Sequence, residues 1–395
     1  MCEELIIGKL RRWKWLRLFN RTSYWVAVYA FWPINLMLAI IFRKKGRGVL
    51  HISAVTHQPY LMTRHLRALG YRADYLAKGP GWLFYKNEDS CDYRMDASVS
   101  LVLRYLLFHY VYEFWWAWKL YPQYQVIHSH FLQVISPSFW EARFLKIMGK
   151  KLVFHFRGDD IRRKELNMEL NPDLNCCQEC DYPDDYCHDK MRERLARLAR
   201  KFGNLFLVTT PDLQDFIPEA IHFPFMIPEL PGETIINPKI NLKKERGIFK
   251  ILHLTNHEGI DGTRYIVDAI NRLRNEGYHI HLEMMKKVPF QEVLQKYPEF
   301  DLSVGKLMMG YYANAQIEAM LFGIPTMCYI RGEFLEQIPD CPIINVKPET
   351  VYEKIKYFLD HEDELEEAGR RGPGFVRKHH SGLLLARRLI ELYTS

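Results

Sequence analysis

A chain of 395 residues with 48% hydrophobic and 26% charged side chains is too apolar to be disordered and too long for one compact core, so two domains are expected. Its formal charge of +7 sits at one end: residues 1–47 hold ten Lys/Arg against Glu3 and Glu4, a net of +8, which leaves the remaining 348 residues at −1. A body so close to neutral argues against a nucleic-acid partner, which would call for a basic face.

In chain order, the basic stretch encloses Ser23–Phe42, twenty residues without a charged side chain, enough to cross a bilayer once as a helix. Pro33 would remove a helix hydrogen bond and Asn35 would bring an amide into lipid, and both flanks are cationic, against the positive-inside tendency of a single span. A re-entrant hairpin or an in-plane helix keeps both flanks beside an anionic leaflet, so residues 1–47 are expected to associate with the cytoplasmic face of a membrane. No small-residue cleavage site follows the apolar run, which sets it apart from a signal peptide.

From Gly48 onward short apolar strands alternate with helices. Strands are expected at 49–54, 71–77, 125–128, 151–156 and 205–209, and helices at 60–69, 99–121, 137–148 and up to Phe202. Residues 217–248 are proline-rich (Pro218, Pro224, Pro228, Pro231, Pro238) and aperiodic, so they are expected to link two domains. A second series follows, with strands at 249–254, 279–284 and 325–330, helices at 263–275, 315–322 and 350–360, and an amphipathic last helix at 381–393. The alternation predicts parallel sheets covered on both faces. The expected fold class is α/β with two Rossmann-like domains, 48–216 and 249–375, joined by 217–248, with 376–395 crossing back to the first domain.

Between the 151–156 strand and the helix ending at Phe202, a polar insertion at about 165–190 holds Cys176, Cys177, Cys180 and Cys187. Two thiolates from one tight turn, completed by others close by, suit a structural zinc ion; free thiols and a disulfide are the competing readings.

The run from Gly310 to Thr326, with Glu318, Gly323 and Pro325, resembles the donor-site motif of the retaining family 4 glycosyltransferases of the GT-B type. In that motif a loop delivers backbone N–H groups at a helix N-terminus to a diphosphate, and a carboxylate one turn later binds ribose hydroxyls. By resemblance Glu318 is the ribose ligand, Tyr312 takes the aromatic position, and Ala313 and Asn314 begin the phosphate-binding turn. Gly310 stands where the family has a second Glu that contacts the transferred sugar.

A second likeness covers His253 to Thr263, where Asp261 replaces the family's diphosphate-binding Lys, so Thr263, Arg264 and Lys306 become the candidate phosphate ligands. Val153–Arg162 resembles the family's strand ending in His-x-x-Gly-x-Asp, and His128-Ser129-His130 its His-x-His pattern, which makes His155, Asp159 and His130 the candidate catalytic residues. The resemblance implies transfer of a sugar, with retention, from a nucleoside diphosphate sugar to a glycan or lipid-linked acceptor near the membrane, with no cofactor needed for catalysis. A non-catalytic GT-B-like subunit of a membrane glycan-assembly complex is the rival reading, favoured by Gly310 and Asp261.

Overall fold

The structure is a computed structural model that describes residues 22, 24–54, 56–78, 91–95, 108–136, 139–183, 187–227 and 247–395. The basic residues 1–21, the first part of the expected 99–121 helix (through 107) and linker positions 228–246 lie outside the described residues.

Two all-parallel sheets form the body. The first contains β1 (Val49–Ala54), β2 (Ala73–Lys78), β3 (Tyr93–Met95), β4 (Val126–His130), β5 (Lys151–Phe156), β6 (Leu205–Val208) and β7 (Ile221–His222), in the order β3-β2-β1-β4-β5-β6-β7. The second contains β8 (Phe249–Leu254), β9 (Ile280–Met285), β10 (Leu302–Val304), β11 (Thr326–Cys328) and β12 (Ile344–Asn345), in the order β12-β11-β10-β8-β9. The strand order reverses between β1 and β4 in one sheet and between β8 and β10 in the other, the places where open parallel sheets leave a crevice for ligands.

Both faces of the first sheet are covered, so its strands are apolar almost throughout. One face packs Leu50, Ile52, Ile127, Phe154 and Phe156 under the aromatic helix Phe108–Leu120. The other packs Val49, Val126, Val153 and Leu207 under helices His57–Ala68 and Gly382–Thr394, through Leu61, Leu66, Leu385 and Leu389. The final helix therefore belongs to the core of the first sheet although its sequence follows the second. Helix Glu362–His380 runs straight across positions 375–376 and keeps Pro373 inside it. The edge strand β7 falls within the region expected to be linker, and two residues are too short to leave a periodic signal.

At the N-terminus, helices Tyr24–Ala30 and Trp32–Ile41 meet at 50°, broken at Phe31 just before Pro33; no single described helix is long and apolar enough to cross a membrane, while the bent pair is so by length and composition. Both polar atoms of the Asn35 amide have a partner: its Nδ2 donates to Tyr110 Oη at 2.7 Å, and its Oδ1 accepts from Trp118 Nε1 at 2.7 Å. Val28, Asn35 and Ala39 face inward, so one side of the pair is part of the protein's own core.

Candidate functional site

In the second domain, helix Asn314–Leu321 starts in the loop that follows β10. An α-helix leaves its first N–H groups without intrahelical partners. The Ala313 N–H is taken by Gln316 Oε1 at 3.1 Å, while those of Asn314 and Ala315 have no hydrogen-bond partner among the described residues. One turn on, the partly buried Glu318 accepts from the Tyr297 hydroxyl at 2.9 Å, and burial pushes its carboxyl up to about 8. Across the gap, Gln58 in the first turn of helix His57–Ala68 donates to Met226 O at 2.8 Å and lies 3.5 Å from Asn314 Oδ1. Two helix N-termini thus face each other, and their dipoles favour an anion between them.

Tyr312 is turned away from this mouth: it is buried, with its hydroxyl 3.1 Å from His380 Nε2. Gly310 has φ +82°, and a Cβ there would sit 3.0 Å from Arg331 Cδ, so a Glu at this position would be strained and crowded. The space is taken by the Arg331 side chain, which reaches across to Asp215 of the first domain at 2.6 Å.

The loop before helix Thr263–Asn275 shows how the replacement by Asp261 is accommodated. Asp261 is buried and pairs with Lys306 Nζ at 2.5 Å, so the carboxylate at position 261 is met by the ammonium of residue 306. Thr263 bonds to His253 Nε2 at 2.8 Å; because His253 Nδ1 lies 2.8 Å from the Val304 carbonyl and must donate there, the Thr263 hydroxyl is the donor to Nε2 and keeps its lone pairs free. Arg264 points outward and is held by Glu179 and Tyr265.

Glu179 belongs to the cysteine-bearing insertion, which bridges the two domains. Cys176 and Cys177 pack against Ile260 and Met308, Tyr182 Oη lies 3.0 Å from His257 Nε2, and the Glu179 carbonyl rests on Gly259 so closely that a Cβ there would come within 1.8 Å. Asn167 donates to Cys177 Sγ at 3.2 Å, and the contact with the Cys176 thiol holds the Cys177 thiol down at about 6. Cys176, Cys177, Cys180 and Cys187 do not bring three ligand atoms within 4.8 Å of one another; among the described residues the set that does is His51, His128 and His130. Cys176 and Cys177 are buried at the contact between the two domains.

In the first domain, parallel register places His51 beside His128 and His130 beside His155, so four imidazoles share one face of the sheet where neighbouring positions hold Val49, Val126 and Val153. All four are fully buried. Tyr393 Oη lies 2.5 Å from His128 Nδ1, His128 Nε2 lies 3.3 Å from His155 Nδ1, and His155 Nε2 lies 3.3 Å from Thr209 Oγ1. Arg157 approaches His130 Nδ1 at 2.9 Å, and His130 Nε2 lies 3.0 Å from His51 Nδ1.

A guanidinium can only donate, so His130 Nδ1 is an acceptor, its proton is on Nε2, and His51 carries its own on Nε2, which has no partner. Burial first, and then the Arg157 charge, pulls His51 down to about 3; burial also holds His128, His130 and His155 well below the ordinary range, so the array is neutral. With a guanidinium on one member and no carboxylate among them, the three close imidazoles suit a hydrogen-bonded array better than a dication.

His155 and His130, the candidate catalytic histidines, are thus both fully buried and neutral in this array. Asp159 pairs with Arg162 at 3.0 Å, and Arg162 with Asp212 at 2.8 Å. The side chain that the end of β5 offers to the crevice is Arg157, which sequence reasoning missed because only the register between strands shows which His it touches.

No protein-family model matches the chain, and no curated protein matches it in sequence. Solved structures do resemble it in three dimensions. Sucrose-phosphate synthase from Thermosynechococcus elongatus superposes with a TM-score of 0.57 at 11% identity, over 88% of this chain and 98% of that one. HepE of Anabaena in complex with UDP and glucose gives 0.56 at 12% identity, over 88% and 99%. The catalytic domain of Starch Synthase IV from Arabidopsis thaliana, bound to ADP and acarbose, gives 0.53 at 13% identity, over 89% and 99%. At such identities the likeness is one of fold: the chain has the two-domain GT-B architecture of these glycosyltransferases.

Proposed function

We propose that this chain is a glycosyltransferase that moves a sugar, with retention, from a nucleoside diphosphate sugar to a glycan or lipid-linked acceptor at the cytoplasmic face of a membrane. The observation that carries the reading is the arrangement around helix Asn314–Leu321: free N–H groups at its start, Glu318 one turn later, and a second helix N-terminus opposite. UDP and ADP are bound by the Anabaena and Arabidopsis proteins of the same fold.

In this reading the donor's diphosphate meets the N–H groups of Asn314 and Ala315 and the N-terminus of helix Thr263–Asn275. Lys306, held on Asp261, is the nearby ammonium, while the Thr263 hydroxyl has its proton committed to His253 and does not donate to the diphosphate. As the bond from sugar to diphosphate breaks, charge grows on the leaving oxygens, and fixed dipoles that need no reorientation stabilise it. Glu318 accepts hydrogen bonds from the ribose hydroxyls. Membrane placement rests on the bent N-terminal pair, whose outer face leaves Val26, Tyr29, Met37 and Ile40 exposed beside Arg43, Lys44 and Lys45.

The test is a panel of UDP-, ADP- and GDP-sugars scored by thermal stabilisation, where a ligand at 100 times its Kd contributes about 2.7 kcal/mol. One nucleotide class is expected to stabilise the protein, and above about pH 8, where the Glu318 carboxyl is ionised, Glu318→Gln is expected to weaken that class by roughly 10- to 150-fold, the range for a charge-assisted hydrogen bond. Equal binding by Glu318→Gln rejects the donor-site assignment; binding of no nucleotide moves the scaffold reading ahead.

A further inference from the structure

The crevice between β1 and β4 in the first sheet lies on the opposite side of the cleft from the donor mouth, and one cation stands in it. Arg157 follows β5 directly, and its guanidinium contacts His130 Nδ1 through two nitrogens, at 2.9 and 3.3 Å, and Met62 Sδ at 4.0 Å. All of these partners are neutral, and among the described residues no carboxylate lies within ion-pair distance of it. Asp160, the acid whose charge acts on it, spends Oδ1 on the backbone N–H groups of Arg157 and Gly158, at 3.0 and 2.9 Å, and its Oδ2 makes no hydrogen bond among the described residues, to the guanidinium or otherwise. Two other arginines at the domain contact are paired: Arg162 with Asp159 and Asp212, Arg331 with Asp215 and Glu333. A guanidinium removed from water without a counter-charge is costly, and a protein keeps one where a ligand supplies the charge.

A second observation comes from the backbone. Phe131 and Leu132, directly after β4, both have φ near +54°, two adjacent non-glycine residues in the left-handed region. Such strain is held only where the surroundings enforce it and clusters at ligand sites. The Phe131 ring lies under the Arg157 guanidinium, 5.9 Å from centroid to Cζ, and the His130–His51 pair behind it fixes the guanidinium from the other side. A neutral imidazole can orient a guanidinium in this way without cancelling its charge.

We propose that Arg157 makes the β1–β4 crevice an oxyanion subsite, so that the acceptor carries a phosphate or a carboxylate. The acceptor role rests on the glycosyltransferase reading; binding of the anion does not. His130 is a positioning residue that acts through Arg157.

The test measures thermal stabilisation by glucose 6-phosphate, glucuronate and, as the neutral control, glucose, at constant ionic strength, each with and without saturating UDP. Wild type, Arg157→Gln and Arg157→Lys are compared. In the wild type one of the two anionic sugars is expected to raise Tm and glucose to have no effect; which one does so separates phosphate from carboxylate. Arg157→Gln is expected to lose at least about tenfold in affinity for that sugar, Arg157→Lys to lose less, and UDP to stabilise all three alike. Without ligand, Arg157→Gln is expected to melt no lower than wild type, because it removes an uncompensated charge. Equal affinity for the anionic sugar in Arg157→Gln, absence of any anion effect, or a large fall in ligand-free Tm with both substitutions overturns the subsite. Failure of UDP alone to bind counts against the donor reading and leaves the anion arm readable.

Discussion

Burial in the company of a single donor, the Tyr297 hydroxyl, raises the Glu318 carboxyl from an ordinary 4.5 to about 8, which has a consequence for stability that does not need the substrate. Between those two values the unfolded chain has released this proton while the folded chain still holds it. The folded state therefore binds more protons, and stability falls as pH rises from 4.5 to about 8. Glu318→Gln removes the titration, so its unfolding free energy relative to wild type is expected to improve between pH 5 and pH 8 in chemical denaturation; an unchanged difference would mean that the carboxyl is already ionised. The Glu itself was legible in the sequence, because its spacing to Gly323 and Pro325 is local. His155 was legible as a residue but not as a role. Whether a strand-end side chain faces the cleft or the core depends on the pleat and on which helix covers that face, here one that arrives from residues 382–394. The same limit hid the pairing of Lys306 with Asp261, 45 positions apart in sequence.

Among the elements, strands β1, β4, β5, β6 and β8 lie close to where apolar runs placed them, since a strand covered on both faces reads as a continuous hydrophobic block. The two- and three-residue strands β3, β7, β10 and β12 were not legible, because so few residues carry no periodicity. Nor was the seating of the insertion, which forms a strap on the loop that begins helix Thr263–Asn275. The seat is tight at one point, where the Glu179 carbonyl meets Gly259. Gly259→Ala puts a methyl carbon on that oxygen, and since the obstacle is backbone, the strap must move. Overpacking of this kind costs roughly 1–3 kcal/mol. The variant is expected to lose stability in that range and to be cut faster by protease within residues 171–183, while Glu179→Ala, which removes only the exposed contacts to Arg264 and Tyr265, is expected to change either property much less. Equal proteolysis of Gly259→Ala and wild type would show that the strap is not held there.

For the molecule as a whole, the two-sheet architecture followed from composition and alternation, but the way the N-terminal pair meets the body did not. Twenty uncharged residues allowed a span, a hairpin or a buried helix; the choice turned on Asn35, whose amide bonds to Tyr110 and Trp118, side chains more than seventy positions away. With Asn35, Val28 and Ala39 committed to the protein core, only the outer face is left exposed, and the membrane docking proposed above would lay that face in the interface plane. That face exposes Met37 by 53%, Ile40 by 60% and Ile41 by 49%, with Arg43, Lys44, Lys45 and Arg47 following at once. The apolar side chains contribute roughly 1 kcal/mol each on entering the acyl boundary, and the basic ones about 1 kcal/mol each against anionic headgroups. Replacing Met37, Ile40 and Ile41 together by Ser is therefore expected to lower partitioning onto vesicles of phosphatidylcholine with phosphatidylglycerol by roughly 100-fold. The fold should be untouched, since the inner face and the Asn35 bonds remain. Reversing Arg43, Lys44 and Lys45 to Glu should abolish the preference for anionic over neutral vesicles, and salt should weaken wild-type binding in the same direction. Sedimentation with vesicles reads all three effects, and wild-type protein that stays in the supernatant at every lipid composition would refute membrane docking by this face.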